Sequence, residues 1–412
     1  MKEKTDVLVI GAGPAGTISA SILKKEGFSV KIVEKQQFPR FVIGESLLPR
    51  CMEHLEAAGL LDAVKAQGFQ EKFGAKFVRG EEICDFNFSD QFTKGWNWTW
   101  QVPRAQFDKT LADAVEKKGV PIDYRTGVTD IKFHTDHSIT TVEYADGSKK
   151  EIEAKFIVDA SGYGRVIPRM LNLDEPSGFP VRKAFFSHIK DLKRAEGTDG
   201  NRITVVVHTK DVWIWIIPFS TGVTSVGFVG TPEFFEQFNG NDEKAYRTMI
   251  AANANTADRF KEAELIMAPT VIAGYAITTK KLYGDGFVLT GNATEFLDPV
   301  FSSGVTFAME SGHTAAKLVA RHLRNDASVD WHKDYTTHMM QGINTFRSYV
   351  SGWYDGTLHD IFFARDIKES FKNQICSVLA GYVWDLNNPF VKKHDTALKA
   401  LAKVIEINKT EV

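Results

Sequence analysis

The first apolar run, Val7, Leu8, Val9 and Ile10, has no polar residue at alternate positions, which is the pattern of a strand covered on both faces of a parallel sheet. It predicts a strand over Asp6 to Ile10, a helix over Ala15 to Lys25 that Gly27 stops, and a second buried strand over Val30 to Val33. Farther along, Trp213 and Trp215 alternate with Val212, Ile214 and Ile216. Ile203 to His208, Val212 to Pro218 and Val223 to Val229 therefore predict an antiparallel sheet, and Trp96, Trp98 and Trp100 show the same period of two. Val305, Met309, Gly312, Ala316, Val319 and Leu323 recur at helical spacing. After Asp326 the helical pattern continues through Trp331, Tyr335, Met339, Ile343, Phe346, Val350 and Trp353. The sum is an α/β protein that ends in helices.

Gly11, Gly13 and Gly16 stand between the first strand and the first helix in the spacing Gly-x-Gly-x-x-Gly. In a βαβ unit the first glycine permits the tight turn, the second lets a pyrophosphate approach the backbone, and the third lets helix and strand pack closely. The helix N-terminus then offers amide donors to the phosphates. Glu34 ends the second strand about 20 residues downstream, where an acidic side chain accepts from ribose hydroxyls. These features in register predict a dinucleotide site, and they do not separate FAD from NAD, because both present an ADP half to the same unit.

Composition narrows the partners. With 43% apolar and 25% charged residues and a formal charge of −2, the chain has no broad field to attract nucleic acid. Cys51, Cys84 and Cys376 are odd in number and far apart, as free thiols in a reducing compartment would be. The N-terminus leaves no room for a signal peptide and no apolar run is long enough to span a bilayer, so a cytoplasmic protein is expected. The 11 histidines, His134 and His137 among them, lack zinc spacing, and there is no Gly-x-Ser-x-Gly elbow or Walker loop. Neither a metal nor a serine nucleophile is expected.

Val102, Arg104, Phe107, Asp108 and Leu111 spell Val-x-Arg-x-x-Phe-Asp-x-x-Leu, and Val158 to Gly162 contains an Asp-Ala-Ser-Gly turn. Gly284 to Gly304 reads GDGFVLTGNATEFLDPVFSSG, and Gly44, Glu45 and Ser46 follow Arg40. Over residues 1–320 these motifs resemble the aromatic-hydroxylase superfamily of flavoproteins, and more closely its geranylgeranyl-reductase and flavin-dependent-halogenase branches. Trp213, Trp215, Ile217 and Pro218 match the halogenase pattern Trp-x-Trp-x-Ile-Pro. Lys72, in GFQEKFGAKFVRG, stands where similar halogenases place the lysine that receives oxidised halogen. Phe301 stands where tryptophan halogenases carry a glutamate, which points away from free tryptophan and toward phenols or pyrroles. Asn292 replaces the aspartate usual in the third FAD motif, exchanging a carboxylate contact for an amide one.

The resemblance implies a Rossmann-type FAD-binding domain assembled from residues 1–70, 104–165 and 283–325. An inserted antiparallel β-sheet substrate domain would take residues 71–103 and 166–282, and a C-terminal helical region residues 326–412. Non-covalent FAD would lie against Gly11, Gly13, Pro14, Ala15, Gly16, Glu34, Lys35, Arg40, Glu45, Ser46, Arg104, Val128, Ala160, Gly162, Gly291, Asn292, Asp298, Pro299, Gly304 and Val305. Catalysis would rest on Lys72, on an aromatic wall of Trp213 and Trp215, and on Ser303 and Gly304 as holders of chloride or bromide. The implied partners are a small electron-rich aromatic substrate, free or tethered to a carrier protein, and a separate flavin reductase, with no nucleic acid. Aromatic hydroxylation, double-bond reduction and a flavin-binding role without activity remain open alternatives.

Each chemical residue has a physical rationale and a plainer reading. A helix opened by Ser302, Ser303 and Gly304 presents unpaired amides and a positive dipole end, which favour a reduced flavin or a halide; the plainer reading is a serine cap. A desolvated Lys72 loses its proton more readily and captures an electrophile in its neutral form, whereas Lys65, Lys72 and Lys76 also read as solvated heads. Arg104 suits a phosphate or the flavin, or a surface ion pair. Asp298 suits ribityl hydroxyls, or an Asp-Pro turn. Trp213 and Trp215 suit offset contact with a planar ring, or the core.

Overall fold

The structure is a computed structural model that describes residues 3–410. The elements that build the site are, in chain order, β1 (Glu3–Ile10), α1 (Pro14–Lys25), β2 (Val30–Val33), α2 (Arg104–Lys117), β3 (Lys149–Asp159), β4 (Lys183–Lys190), β5 (Ile203–Thr209), β6 (Val212–Pro218), β7 (Val223–Gly230), β8 (Phe287–Leu289), α3 (Ser303–Leu323) and α4 (His338–Asp355).

In the first sheet β8, β3, β1 and β2 lie side by side and parallel. Ile10 pairs with both Val33 and Asp159, and Asp159 pairs with Leu289, so the four carboxyl ends finish in one row. Four loops therefore leave the sheet together, which is where open α/β sheets bind ligands. Val7, Val9, Ile32 and Val158 sit in the main core and Leu8, Ile10, Val33 and Ile157 in a smaller one on the opposite face, as uninterrupted apolar runs require.

The second sheet runs Thr270–Ala273, β4, β7, β6, β5, Gly74–Arg79, Glu82–Asn87. β7, β6 and β5 are antiparallel as the sequence predicts and β4 joins them antiparallel to β7, but β5 pairs in parallel with Gly74–Arg79, so the sheet is mixed. Trp213, Trp215 and Ile217 face the main core, and Ile214 and Ile216 face a second core around Tyr246. Ala184–Val229–Trp213 and Phe186–Gly227–Trp215 form rungs across three strands. A side chain at Gly227 would collide with the Trp215 ring, so this glycine lets the indole lie across its neighbour. The expected strand through Trp96, Trp98 and Trp100 is a correction: only Thr99–Gln101 is extended in a ladder, because its partner Gln70–Lys72 is three residues long. Trp96 and Trp98 lie in a loop held by the Gln91 amide and the Tyr382 hydroxyl, both donating to the Trp96 carbonyl at 3.0 Å.

The helical pattern after Asp326 continues into α4, with Tyr335, Met339, Ile343, Phe346, Val350 and Trp353 buried. The six residues His332–Thr337 take the wider π-helical turn. Helix α3 is anchored by Glu310, which accepts from Arg50 at 3.0 Å and lies 2.8 Å from His338 Nε2. Burial alone would raise this carboxyl, but His338, His54 and Arg50 hold it well below the ordinary range. His313, 3.1 Å from the His54 ring, is pushed down to about 4 by burial and by the neighbouring His54 charge.

A histidine that is neutral when folded and has its ordinary value of 6.5 when unfolded takes up a proton on unfolding between those values. Stability contributed at this position is therefore present above 6.5 and lost as the pH falls from 6.5 toward about 4. The Tm should drop across that window, and His313→Gln should flatten the slope; an unchanged slope would assign the loss to other groups.

Candidate functional site

The loops after β1, β2, β3 and β8 open into one cavity of about 800 Å³. Gly11, Gly13, Pro14 and Ala15, then Glu34, Lys35 and Arg40, then Ala160 and Gly162, then Gly291 and Asn292 line it, each group supplied by a different strand end. Glu45, Ser46, Arg104, Val128, Pro299, Gly304 and Val305 complete that wall, and Trp213, Trp215, Ile217 and Ile203 of the second sheet face it.

The residues present fit a dinucleotide. Gly11 has φ +100°, and a Cβ there would stand 2.5 Å from the Ala160 carbonyl, so only glycine makes the turn. Gly13 caps α1 with no side-chain hydrogen bond, and a Cβ on it would meet only Arg40 Nη2 at 3.5 Å, which leaves the amides of the first turn open toward the cavity. Gly16 does not line the cavity; a Cβ there would strike the Gly11 carbonyl, so its part is close packing beneath the turn. Glu34 is buried and accepts from the Ala12 and Gln36 amides at 2.8 Å each, fixing the fingerprint turn relative to β2.

Arg104 is no surface pair. Its guanidinium is forked onto Asp108 at 2.8 and 2.9 Å and donates to the Ile43 carbonyl at 2.9 Å. Arg40 reaches the same Asp108 at 3.0 Å, so one carboxylate organises both cations at the cavity edge. A Cβ on Gly44, whose φ is +109°, would lie 2.9 Å from Arg104 Nη1. The next residue, Glu45, has its Oε1 2.6 Å from His188 Nε2 on β4, a link between the two sheets' surroundings.

Ser302 caps α3 in the left-handed conformation, φ 58°, and makes no side-chain cap hydrogen bond. The serine-cap reading thus finds no support, and the amides at this N-terminus remain available. The turn at Ser302 brings Ser302 and Gly304 to the cavity, whereas Ser303 between them is buried and does not line it. Asp298 does not line the cavity either. It is buried off the cavity wall, with Oδ1 accepting from the Val300 amide at 3.0 Å and Oδ2 from the Tyr354 hydroxyl at 2.9 Å. Burial raises it to about 6.

Lys72 is neither solvated nor directly on the wall. It is 1% exposed, and its Nζ donates to Ser46 Oγ at 2.9 Å and to the Leu47 carbonyl at 2.7 Å, with the Phe88 ring centroid 5.5 Å away. Ser46 lines the cavity, so one hydroxyl separates the amine from it. Burial pushes Lys72 down to about 7, against the influence of Cys51 and with that of the Arg202 guanidinium. Lys76, by contrast, pairs with the exposed Asp199 at 3.0 Å.

The sequence profile of the FAD-binding-domain family matches residues 4–343. The chain belongs to that family. Its FAD-binding fold is shared with a flavoprotein/dehydrogenase crystal structure from Cytophaga hutchinsonii, 66% identical, with a TM-score of 0.97 over 99% of this chain and 100% of that one. The flavin-dependent brominase Bmp2 is 26% identical and superposes with a TM-score of 0.83 over 99% of this chain and 100% of its own. Among curated proteins, the 1H-pyrrole-2-carbonyl-[peptidyl-carrier protein] brominase of Pseudoalteromonas luteoviolacea is 29% identical over 391 residues, 92% of each chain. This flavoprotein is an enzyme of the halogenase-like branch, and no described helix is long and apolar enough to cross a membrane.

Several wall residues escape sequence reasoning. Tyr163 and Phe296, with ring centroids 5.7 Å apart, both line the cavity, as do Ile43 and Arg169. Tyr163 follows directly on the Asp-Ala-Ser-Gly turn, and that adjacency is the one signal that pointed to it; Phe296 and Arg169 carry none.

Glu34→Ala removes the acceptor of two amides beside the fingerprint. At about 1.5 to 3 kcal/mol for hydrogen bonds to a charged group, FAD should dissociate roughly tenfold to a hundredfold more readily. Titration of the apoprotein by flavin fluorescence reads this, and an unchanged Kd would remove Glu34 from the cofactor site.

Proposed function

We propose that the protein is an FAD-dependent halogenase of an electron-rich aromatic ring, a phenol or a pyrrole. The observation that carries the reading is Lys72, buried, with Ser46 and Leu47 as its hydrogen-bond acceptors among the described residues, and one hydroxyl away from the cavity. The similarity to the pyrrole brominase and to Bmp2 supports it. Phe301, packed edge-on against Tyr349 and Trp353, puts an apolar ring where the tryptophan enzymes have a carboxylate, in keeping with a phenol or pyrrole rather than free tryptophan.

FAD, bound and reduced, supplies the oxygen-dependent oxidation of halide. The chain's own residues do the rest. The Gly13 and Ala15 amides and the Glu34 carboxylate hold the ADP half, and the Ser303 and Gly304 amides at the start of α3 hold the halide. Trp213 and Trp215 present two buried indoles as a dry wall for a flat ring. The neutral Lys72 amine would take the halogen from hypohalous acid with loss of water, pass it to a ring carbon and regain a proton as that carbon loses its own, and its lowered pKa keeps a large share of the neutral form at neutral pH. A separate flavin reductase supplies electrons, the substrate arrives free or on a carrier protein as in the pyrrole relative, and the work is cytoplasmic. Residues 1–70, 104–165 and 283–325 serve FAD, residues 71–103 and 166–282 the substrate, and residues 326–412 form the C-terminal helical region.

Purified protein with FAD, a flavin reductase, NADH, oxygen and bromide should convert a phenol or pyrrole to a product heavier by one bromine for hydrogen. Formation of hydroxylated products alone would replace this reading with an aromatic hydroxylase.

Lys72→Met keeps the stem and removes the amine. It should lower halogenation by more than about a hundredfold, the scale of losing a positioned proton-handling group, with NADH-driven flavin oxidation unchanged. Because the neutral amine is the active form, wild-type halogenation should rise with pH through about 7. A mutant as fast as wild type would make Lys72 structural.

A further inference from the structure

Tyr354, near the end of α4, lies beyond the stretch that matches the family profile, yet its hydroxyl sits at the centre of a chain leading into the site. Trp213 Nε1, on the cavity wall, donates to the Tyr354 hydroxyl at 3.0 Å, and that hydroxyl donates to Asp298 Oδ2 at 2.9 Å. Asp298 Oδ1 in turn accepts from the Val300 amide, at the start of the turn that ends in Ser302 and opens α3. The tyrosine ring is fixed from the other side by Arg182, whose guanidinium carbon lies 3.4 Å from the ring centroid.

We propose that Tyr354 is a positioning residue of the site: it ties the Trp213 wall of the second sheet to the Asp298 turn that sets the N-terminus of α3, so one C-terminal hydroxyl aligns the two sides of the cavity. The polarity of the chain has only one satisfactory sense. An indole N–H only donates, so the tyrosine oxygen accepts from Trp213 and sends its own proton to Asp298, which receives it most strongly when ionised. A proton on Asp298 turns the acceptor of the tyrosine proton from a carboxylate into a neutral carboxyl, so that bond weakens and the indole bond, less polarised by the next link, weakens with it. The groups that face Asp298 are few. Arg182 favours its charged form, the Tyr354 and Val300 donors do likewise, burial opposes them, and the buried Tyr275 stays neutral beside it. The balance puts the carboxyl at about 6, so the chain is intact above that pH and loosened below it.

The FAD-loaded protein tests this with Tyr354→Phe, which keeps the ring under Arg182 and removes the hydroxyl, and with Asp298→Asn and the double variant. Ultraviolet resonance Raman difference spectra against Trp213→Phe isolate the Trp213 N–H band. In wild type that band should shift as the pH falls through about 6. In Tyr354→Phe it should sit at the weakly bonded position at every pH, and adding Asp298→Asn should move it no further. A wild-type band that ignores pH, or an Asp298→Asn shift that persists in the Tyr354→Phe background, would overturn the proposal. The kinetic arm alone rests on the halogenase reading. There kcat should fall about tenfold in Tyr354→Phe with KM changed less than about twofold, as for lost alignment rather than lost binding, and the double variant should match the poorer single one. If no ring is halogenated by wild type the function is wrong and the spectra still decide the role of Tyr354; if halogenation occurs and the losses multiply, Tyr354 is not the link.

Discussion

Two helix N-termini without side-chain caps converge on one cavity, and the backbone contact between their helices sets how far apart they stand. Gly13 opens α1 and Ser302 opens α3, neither with a capping side chain, and both line the cavity. The helices touch where Gly312 of α3 meets α1: a Cβ there would come within 2.5 Å of the Ala15 carbonyl, and Ser19 Oγ donates to the Gly312 carbonyl at 2.9 Å. That approach needs an absent side chain, much as Gly16 needs one absent beneath the fingerprint turn. Two positive dipole ends left open toward a shared space attract negative charge, and a dinucleotide brings its pyrophosphate to one of them. The ion-paired Glu310 of α3 itself keeps the second in place.

Against this anion-seeking floor stands an aromatic wall. The rung Phe186–Gly227–Trp215 shows how it is built, since the missing side chain in the middle strand is what permits the indole to lie flat along the sheet. The segment Gly44 to Leu47 joins wall and floor. Arg104 pins its start through the Ile43 carbonyl, Glu45 bonds to His188 of the second sheet, and Ser46 and Leu47 hold the Lys72 amine. Chemistry that needs a neutral amine finds it here because a buried ammonium with only a hydroxyl and a carbonyl for company gives up its proton more easily than a paired one.

The parts legible in the sequence are those that local physics writes into short stretches. The fingerprint from Gly11 to Glu34 is read from one βαβ unit, and β6 is read from a period of two that both cores then use. The helical face of α3 is likewise carried by spacing alone. Misread or missed residues depend on partners far away in the chain. Asp298 turns inward because Tyr354, 56 residues later, takes its second oxygen, and Lys72 is buried by Ser46 and Leu47, about 25 residues earlier in a loop with no period to read. Trp96 and Trp98 alternate without being a strand because no partner edge reaches them. The wall residue Phe296 belongs to a loop whose partner strand, Ile277–Thr279, is joined to it through a single bridge.

The most direct measurement is a crystal structure of the protein with FAD bound and bromide soaked in, located by its anomalous signal. The pyrophosphate is expected on the Gly13 and Ala15 amides, the flavin ring between the Ser302 to Gly304 turn and the Trp213 and Trp215 wall, and bromide on the Ser303 and Gly304 amides. FAD bound outside this cavity, or bromide absent from the N-terminus of α3 while present elsewhere on the protein, would contradict it.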